Sequence, residues 1–280
     1  MRRLVLLVIP AALLLMAASP VRDWQERPLQ LQAGDSFGEL ALDGKTAWLL
    51  NTFRLYRCEN NGAAWDLAFE RHNTDTDCVA AQAGVVWLAT SATDRDHYAL
   101  MRSSDGGESW AEYPLSQGFE AIEFLNPHRG WAATAGWRID GPISVLTTGD
   151  GGRSWETVAT FPEGLNIRAL TFVSAKKGWA LLVNDDPEEL SVAEVLATSD
   201  GGRTWQVTHT MLDPDFNTYG LSFSGSTGWL QTGGQIFRSL DGGKSWQLDY
   251  ERTDEQVLYD VEAEGGRVWS DGERFLLERE

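Results

Sequence analysis

Apolar and β-branched residues gather along this chain in short runs of strand length, set apart by clusters of Gly, Asp and Ser. Ala169 to Ser174, Trp179 to Val183, Ala193 to Ser199 and Thr204 to His209 are four consecutive examples. Runs bounded in this way predict strands. Four of them per unit of about 40 to 50 residues predict the blade of a propeller.

Two motifs punctuate the runs in alternation. The first reads Ser/Thr, any residue, Asp, Gly, Gly, a charged residue, Ser/Thr, Trp, and stands at 103–110, 148–155, 198–205 and 239–246. Its Asp–Trp pairs are Asp105 and Trp110, Asp150 and Trp155, Asp200 and Trp205, and Asp241 and Trp246. A weaker copy runs from Cys58 to Trp65, with Asn60 in place of the Asp. Asp-Gly-Gly suits a tight hairpin, because Gly takes positive φ at little cost and Asp accepts hydrogen bonds from the turn's own backbone. We place this box between the third and fourth strands of a unit, with its Trp packed between neighbouring units.

The second motif is a Trp leading an apolar run, as Gly130-Trp131, Gly178-Trp179 and Gly228-Trp229, and more loosely at Trp48, Trp87 and Trp269. Six copies of the second motif face five boxes, and the segment Arg22-Asp23-Trp24-Gln25 resembles the strand that follows a box. The chain is thus expected to form one all-β, six-bladed β-propeller of four-stranded antiparallel blades, closed by its N-terminal strand, with seven blades as the alternative. Closure of that kind removes the free sheet edges of an open array. Of the 13 Trp, only Trp137 falls outside the pairing.

The box pattern resembles the Asp-box, or BNR repeat, of sialidases, sortilin-type receptors and some glucanases. Gly-Trp strands combined with Asp-Gly-Gly-x-Ser/Thr-Trp hairpins most resemble the propeller family of the photosystem II stability and assembly factor, over about residues 38 to 250. The resemblance implies a propeller that binds protein during assembly. It implies little more, since one architecture hosts many activities. That family is built with seven blades and uses basic surface, whereas this chain carries a formal charge of −18.

The acidic balance excludes nucleic acid and anionic membrane surfaces as partners, because both demand a basic footprint. Arg2 and Arg3 precede a 13-residue apolar run, Leu4 to Met16, and then Ala17-Ala18-Ser19. Residues 1–19 therefore read as a signal peptide or an uncleaved N-terminal anchor, and 20–280 as the propeller domain outside the cytoplasm: periplasm, lumen or secreted. Cys58 and Cys78 either pair as a disulfide in that compartment or remain two buried thiols. The four His are scattered without ligand spacing, so neither a metal site nor a cofactor is expected.

The candidate binding site lies on loops longer than the repeat requires, all on the face opposite the boxes. They carry Asp94, Asp96, Trp137, Arg138, Asp140, Asp185 and Asp186. An aromatic beside an Arg on a loop is a common anchor for protein or sugar. The expected partner of this monomer is a protein or peptide, basic in character, with a glycan as the alternative. No catalytic residue is assigned: Phe53-Arg54-Leu55-Tyr56 resembles a sialidase motif but lacks its Pro, and Arg57, Arg102 and Arg238 fill one equivalent repeat position. A carbohydrate-active enzyme stays the alternative, because general acid–base work requires only two well-placed carboxyls among 41.

Overall fold

The computed structural model describes residues 24–28, 37–59, 64–93, 97–135, 142–184, 192–212, 220–252, 258–264, 267–272 and 275–279. The first strand is β1 (Gln25–Pro28). The first sheet then runs β2 (Phe37–Asp43), β3 (Thr46–Asn51), β4 (Arg54–Cys58) and β5 (Asp66–Glu70). The second is β6 (Thr74–Gln82), β7 (Val85–Ala92), β8 (Tyr98–Ser103) and β9 (Ala111–Leu115). The third is β10 (Phe119–Phe124), β11 (Gly130–Thr134), β12 (Ile143–Thr148) and β13 (Glu156–Phe161), and the fourth β14 (Leu165–Phe172), β15 (Gly178–Asn184), β16 (Val192–Thr198) and β17 (Gln206–Leu212). The fifth is β18 (Leu221–Ser224), β19 (Thr227–Thr232), β20 (Gln235–Ser239) and β21 (Gln247–Glu251). The last sheet joins β22 (Leu258–Glu264), β23 (Arg267–Gly272) and β24 (Phe275–Arg279) to β1.

All pairings within these sheets are antiparallel, and the fold is an all-β propeller. The innermost strands touch in the order β2, β6, β10, β14, β18, β22 and back to β2. Burial grades outward along each blade. Second strands such as β11 are buried on both faces and read as unbroken apolar runs, whereas the outer strands β5, β9, β13 and β21 alternate with solvent.

Adjacent sheets are joined by one aromatic arrangement. Trp87, Trp131 and Trp179 of the second strands lie flat on Phe124, Phe172 and Phe223 of the next sheet, with ring centroids 3.7, 3.8 and 3.8 Å apart. Their indole N–H groups donate to the first box glycine of that sheet: Gly151 at 3.1 Å, Gly201 at 3.0 Å and Gly242 at 2.9 Å. The box Trp then meets the same Phe edge-on, at 6.1, 6.1 and 5.9 Å for Trp155, Trp205 and Trp246. A Cβ on Gly178 would stand 2.5 Å from the Phe172 ring, so glycine precedes Trp to let the ring lie on the backbone.

The closing sheet is held differently. Asp249 of β21 is almost fully buried and pairs with Arg279 of β24, with Arg238 at 3.5 Å, and with the Trp24 indole N–H at 3.3 Å. One carboxylate thus ties the fifth sheet to both strands that meet at the closure. Cys58 and Cys78 are both buried, in the first and second sheets. Cys78 turns toward the third sheet, with Sγ 3.9 Å from the Phe119 carbonyl, and so faces away from the sheet that carries Cys58.

Two stability predictions follow from this packing. Gly178→Ala is expected to cost about 1–3 kcal/mol through forced displacement of Phe172, whereas Gly149→Ala, where an added Cβ meets nothing within 4 Å, stays within about 0.5 kcal/mol; urea unfolding of both distinguishes them. Asp249→Asn strands buried guanidinium charge and is expected to cost about 3–5 kcal/mol in the same assay.

Candidate functional site

The boxes form as their sequence demands, and their aspartates are spent on the turn. In the third complete copy the Thr198 hydroxyl donates to Asp200 Oδ1 at 2.9 Å, and Gly202 N–H donates to Thr198 Oγ1 at 3.0 Å. The N–H groups of Arg203 and Thr204 both reach Asp200 Oδ1 at 3.0 Å, and the Thr204 hydroxyl reaches Oδ2 at 2.6 Å. Both glycines take positive φ, 81° at Gly201 and 89° at Gly202. Hydroxyl donation from Ser109, Ser154, Thr204 and Ser245, joined by backbone N–H groups, lowers Asp105, Asp150, Asp200 and Asp241 to about 2. The Trp of each of the four complete copies closes its own hairpin by donating to the second glycine, as Trp205 does to Gly202 at 2.9 Å.

The equivalent arginines are structural too. Arg57 and Arg102 lie over Trp48 and Trp87 at 5.9 and 5.7 Å, directly across the strand pair. Leu55 and Tyr56 of the sialidase-like string are buried repeat residues of β4. The proposed loop residues Asp94, Asp96, Trp137, Arg138, Asp140, Asp185 and Asp186, and the segment 1–19, lie outside the described residues.

Sequence reasoning missed the centre of the ring. A cavity of about 160 Å³ runs between the innermost strands, lined by Glu39, Asp77, Glu120, Glu123, Asp260 and Glu262, with Arg168 the one cation among its described lining residues. A β-bulge recurs near the start of five innermost strands, between Phe37 and Glu39, Thr76 and Cys78, Phe119 and Ala121, Ile167 and Ala169, and Leu258 and Asp260. The extra residue of each bulge, Gly38, Asp77, Glu120, Arg168 or Tyr259, lines the cavity. Arg168 spans one sheet boundary to hold Glu120 at 2.6 Å.

The reason for so many acceptors is the free edge of each innermost strand. Its outward N–H groups have no strand to pair with, and side chains of the preceding sheet satisfy them. Val79 N–H donates to Glu39 at 3.2 Å, Phe223 N–H to Thr171 at 3.4 Å, Ala263 N–H to Ser222 at 3.0 Å and Leu40 N–H to Asp260 at 2.9 Å. Phe172 N–H serves Glu123 in the same sense. At the end of the channel Gly44 N–H donates to Glu264 at 2.7 Å and Ala83 N–H to Asp43 at 3.0 Å. Every one of these bonds runs from a sheet to the acceptor on the sheet before it.

Carboxyls packed this closely cannot all ionise. Burial, reinforced by Asp260, raises Glu39 well above the usual carboxylate range. Burial raises Asp260 from 3.8 to about 7 and Glu123 from 4.5 to about 8. Glu262 is raised by burial and then by Glu123 and Asp260. A protonated carboxyl keeps a carbonyl oxygen for its backbone donor, so the strand edges stay satisfied.

No protein-family model matches the chain, and no curated protein matches it. Among solved structures it is similar to YCF48 bound to D1 peptide, with 15% sequence identity and a TM-score of 0.58 over 94% of this chain and 99% of that one. At that identity the likeness is one of fold.

The two carboxylate groups predict opposite pH limbs. Box aspartates, depressed in the fold, add stability that is present above their unfolded values and lost as pH falls toward about 2. Channel carboxyls, raised in the fold, add stability that is whole below about 4 and lost as pH climbs through about 7 to 8. The melting temperature is therefore expected to fall between pH 5 and pH 8.5. Glu123→Gln with Glu262→Gln should flatten that fall, as read by calorimetry across the pH series.

Proposed function

We propose that this chain is a single closed six-bladed Asp-box ring, exported from the cytoplasm, that binds a protein or peptide as an assembly scaffold and carries out no chemistry of its own. The observation that carries the reading is the likeness in fold, along nearly the whole of both chains, to a propeller solved with a peptide bound. The formal charge of −18 favours a basic segment as the partner, with charge complementarity setting specificity and on-rate. The site is the face bearing Trp137 and Arg138, with Asp94, Asp96, Asp140, Asp185 and Asp186 supplying the acidic surround.

The carbohydrate-active alternative draws support from one feature, the carboxyls held protonated near neutral pH inside a channel. Size weighs against it. A cavity of about 160 Å³ holds roughly five waters, and falls below the ~300–1,000 Å³ of sites that enclose a small organic ligand.

Matched basic and acidic peptide libraries, titrated against the purified protein by fluorescence anisotropy, test the reading. Basic peptides should bind, more weakly as salt rises, and Trp137→Ala with Asp185→Lys should lower affinity at least tenfold. Equal binding of both libraries, or an unchanged double variant, would remove the proposed site. Turnover of chromogenic glycosides would replace the reading with the enzymatic one.

A further inference from the structure

The six sheet-to-sheet junctions are not equal. Between the second and third, third and fourth, and fourth and fifth sheets the full clasp is present: Trp on Phe, indole N–H on a box carbonyl, box Trp at the ring edge. Around the rest of the ring the Phe position, fixed by strand register, holds Ala263, Leu42 and Ala81. Trp229 and Trp269 therefore have no Phe to stack on. At the first-to-second junction Arg57 donates to the Gly106 carbonyl at 3.0 Å, in place of the indole. The sixth sheet is also the one whose outer strand, β1, comes from the other end of the sequence, so no box hairpin joins it to β24.

Three of the channel carboxyls stand at this weaker side. Glu39 lies on β2, and Asp260 and Glu262 lie on β22, the two innermost strands that meet across the sixth-to-first junction. Facing them are Asp77 from β6, Glu120 and Glu123 from β10, and Tyr259 from β22 itself. Arg168 from β14 is engaged by Glu120. From β18 the facing polar group is the neutral Ser222, and at the channel end stand Asp43 and Glu264, the latter opposite Arg267 of β23. Acid thus outnumbers base at a junction that lacks the stacked Phe.

We propose that the junctions of the sixth sheet form a seam in the ring, which loosens as negative charge accumulates on Glu39, Asp260 and Glu262 while the clasped half stays closed. Like charges across a low-dielectric channel repel, and the three clasped junctions have a stacked Trp–Phe contact to resist the strain, whereas the fifth-to-sixth junction has the tilted Trp24–Tyr250 pair at 5.7 Å and the Asp249–Arg279 ion pair, both at the outer strands and away from the channel. The burial that raises these carboxyls sets the range of pH over which the charge arrives. The expected opening is local, of the kind that exposes one cooperative unit without unfolding the whole.

Hydrogen exchange by mass spectrometry at pH 5 and pH 8, on the full chain and corrected for intrinsic exchange, tests this. Peptides covering β22–β24, β1 and β2 should exchange at least tenfold faster at pH 8, and those covering β10–β17 should not change. Asp260→Asn with Glu262→Gln should abolish the difference. Should that variant fold poorly, 1 M salt on the unaltered protein should shrink the difference by screening the repulsion. A rise spread evenly over all six sheets, no rise at all, or a rise that survives both the substitutions and the salt overturns the seam.

Discussion

The clasped half of this ring depends on a phenylalanine ring held between two tryptophans from different sheets. The Phe of an innermost strand lies flat against the second-strand Trp of the sheet before it and edge-on to the box Trp of its own. Three separate sequence features are consequences of that contact. The glycine before the Trp leaves room for the ring, since any Cβ there would overlap it. The box glycine presents a carbonyl to the incoming indole N–H, and the box aspartate holds the hairpin that presents it. Burial of large aromatic surface supplies the driving force, while the hydrogen bonds fix which sheet meets which.

A ring of sheets solves the edge problem at its rim and recreates it at its centre. Each innermost strand turns a free edge toward the axis, where neither water in bulk nor another strand can satisfy it. Side chains of the preceding sheet take that role, and Thr171, Ser222, Glu39, Glu123 and Asp260 do it with equal geometric success. Hydroxyls would have sufficed throughout. Carboxyls at some of these positions add a titration that a purely structural solution does not require; Glu39 and Asp260 add it at junctions that lack the aromatic clasp, and Glu123 at one that has it.

The repeat was legible because its chemistry is local. Asp, Gly and Ser/Thr in a fixed order specify a turn that folds on its own hydrogen bonds, and Trp at fixed spacing marks the buried strands. Strand order, the pairing of β1 with β24 and the structural role of Arg57 and Arg102 were all within reach of counting. The channel was not. Glu39, Glu123, Asp260 and Glu262 alternate with apolar residues, as the solvent-facing positions of any half-buried strand do, and 41 acids supply many such patterns. Only closure of the ring turns that face inward. The bulges that deliver Asp77, Glu120 and Arg168 to the axis leave no mark in composition, although an acid at the same offset from the Trp strand in several repeats would have been a usable signal.

The acids of this chain therefore fall into groups with different physics, and the formal charge of −18 conceals the difference. Box aspartates stay ionised down to about pH 2, held so by the hydroxyl and backbone donors around them. Channel carboxyls hold protons that solvent-exposed acids have already released, so the ring is less negative near neutral pH than its composition implies. Raising the pH adds charge inside the ring and leaves the charge on its exposed acids unchanged. The field outside the ring is set at the surface and would barely change, whereas cohesion between sheets is set at the axis and would fall. A single composition thus holds two sets of carboxyls with different physical consequences: those buried at the axis couple their titration to the cohesion of the sheets, and those at the surface do not.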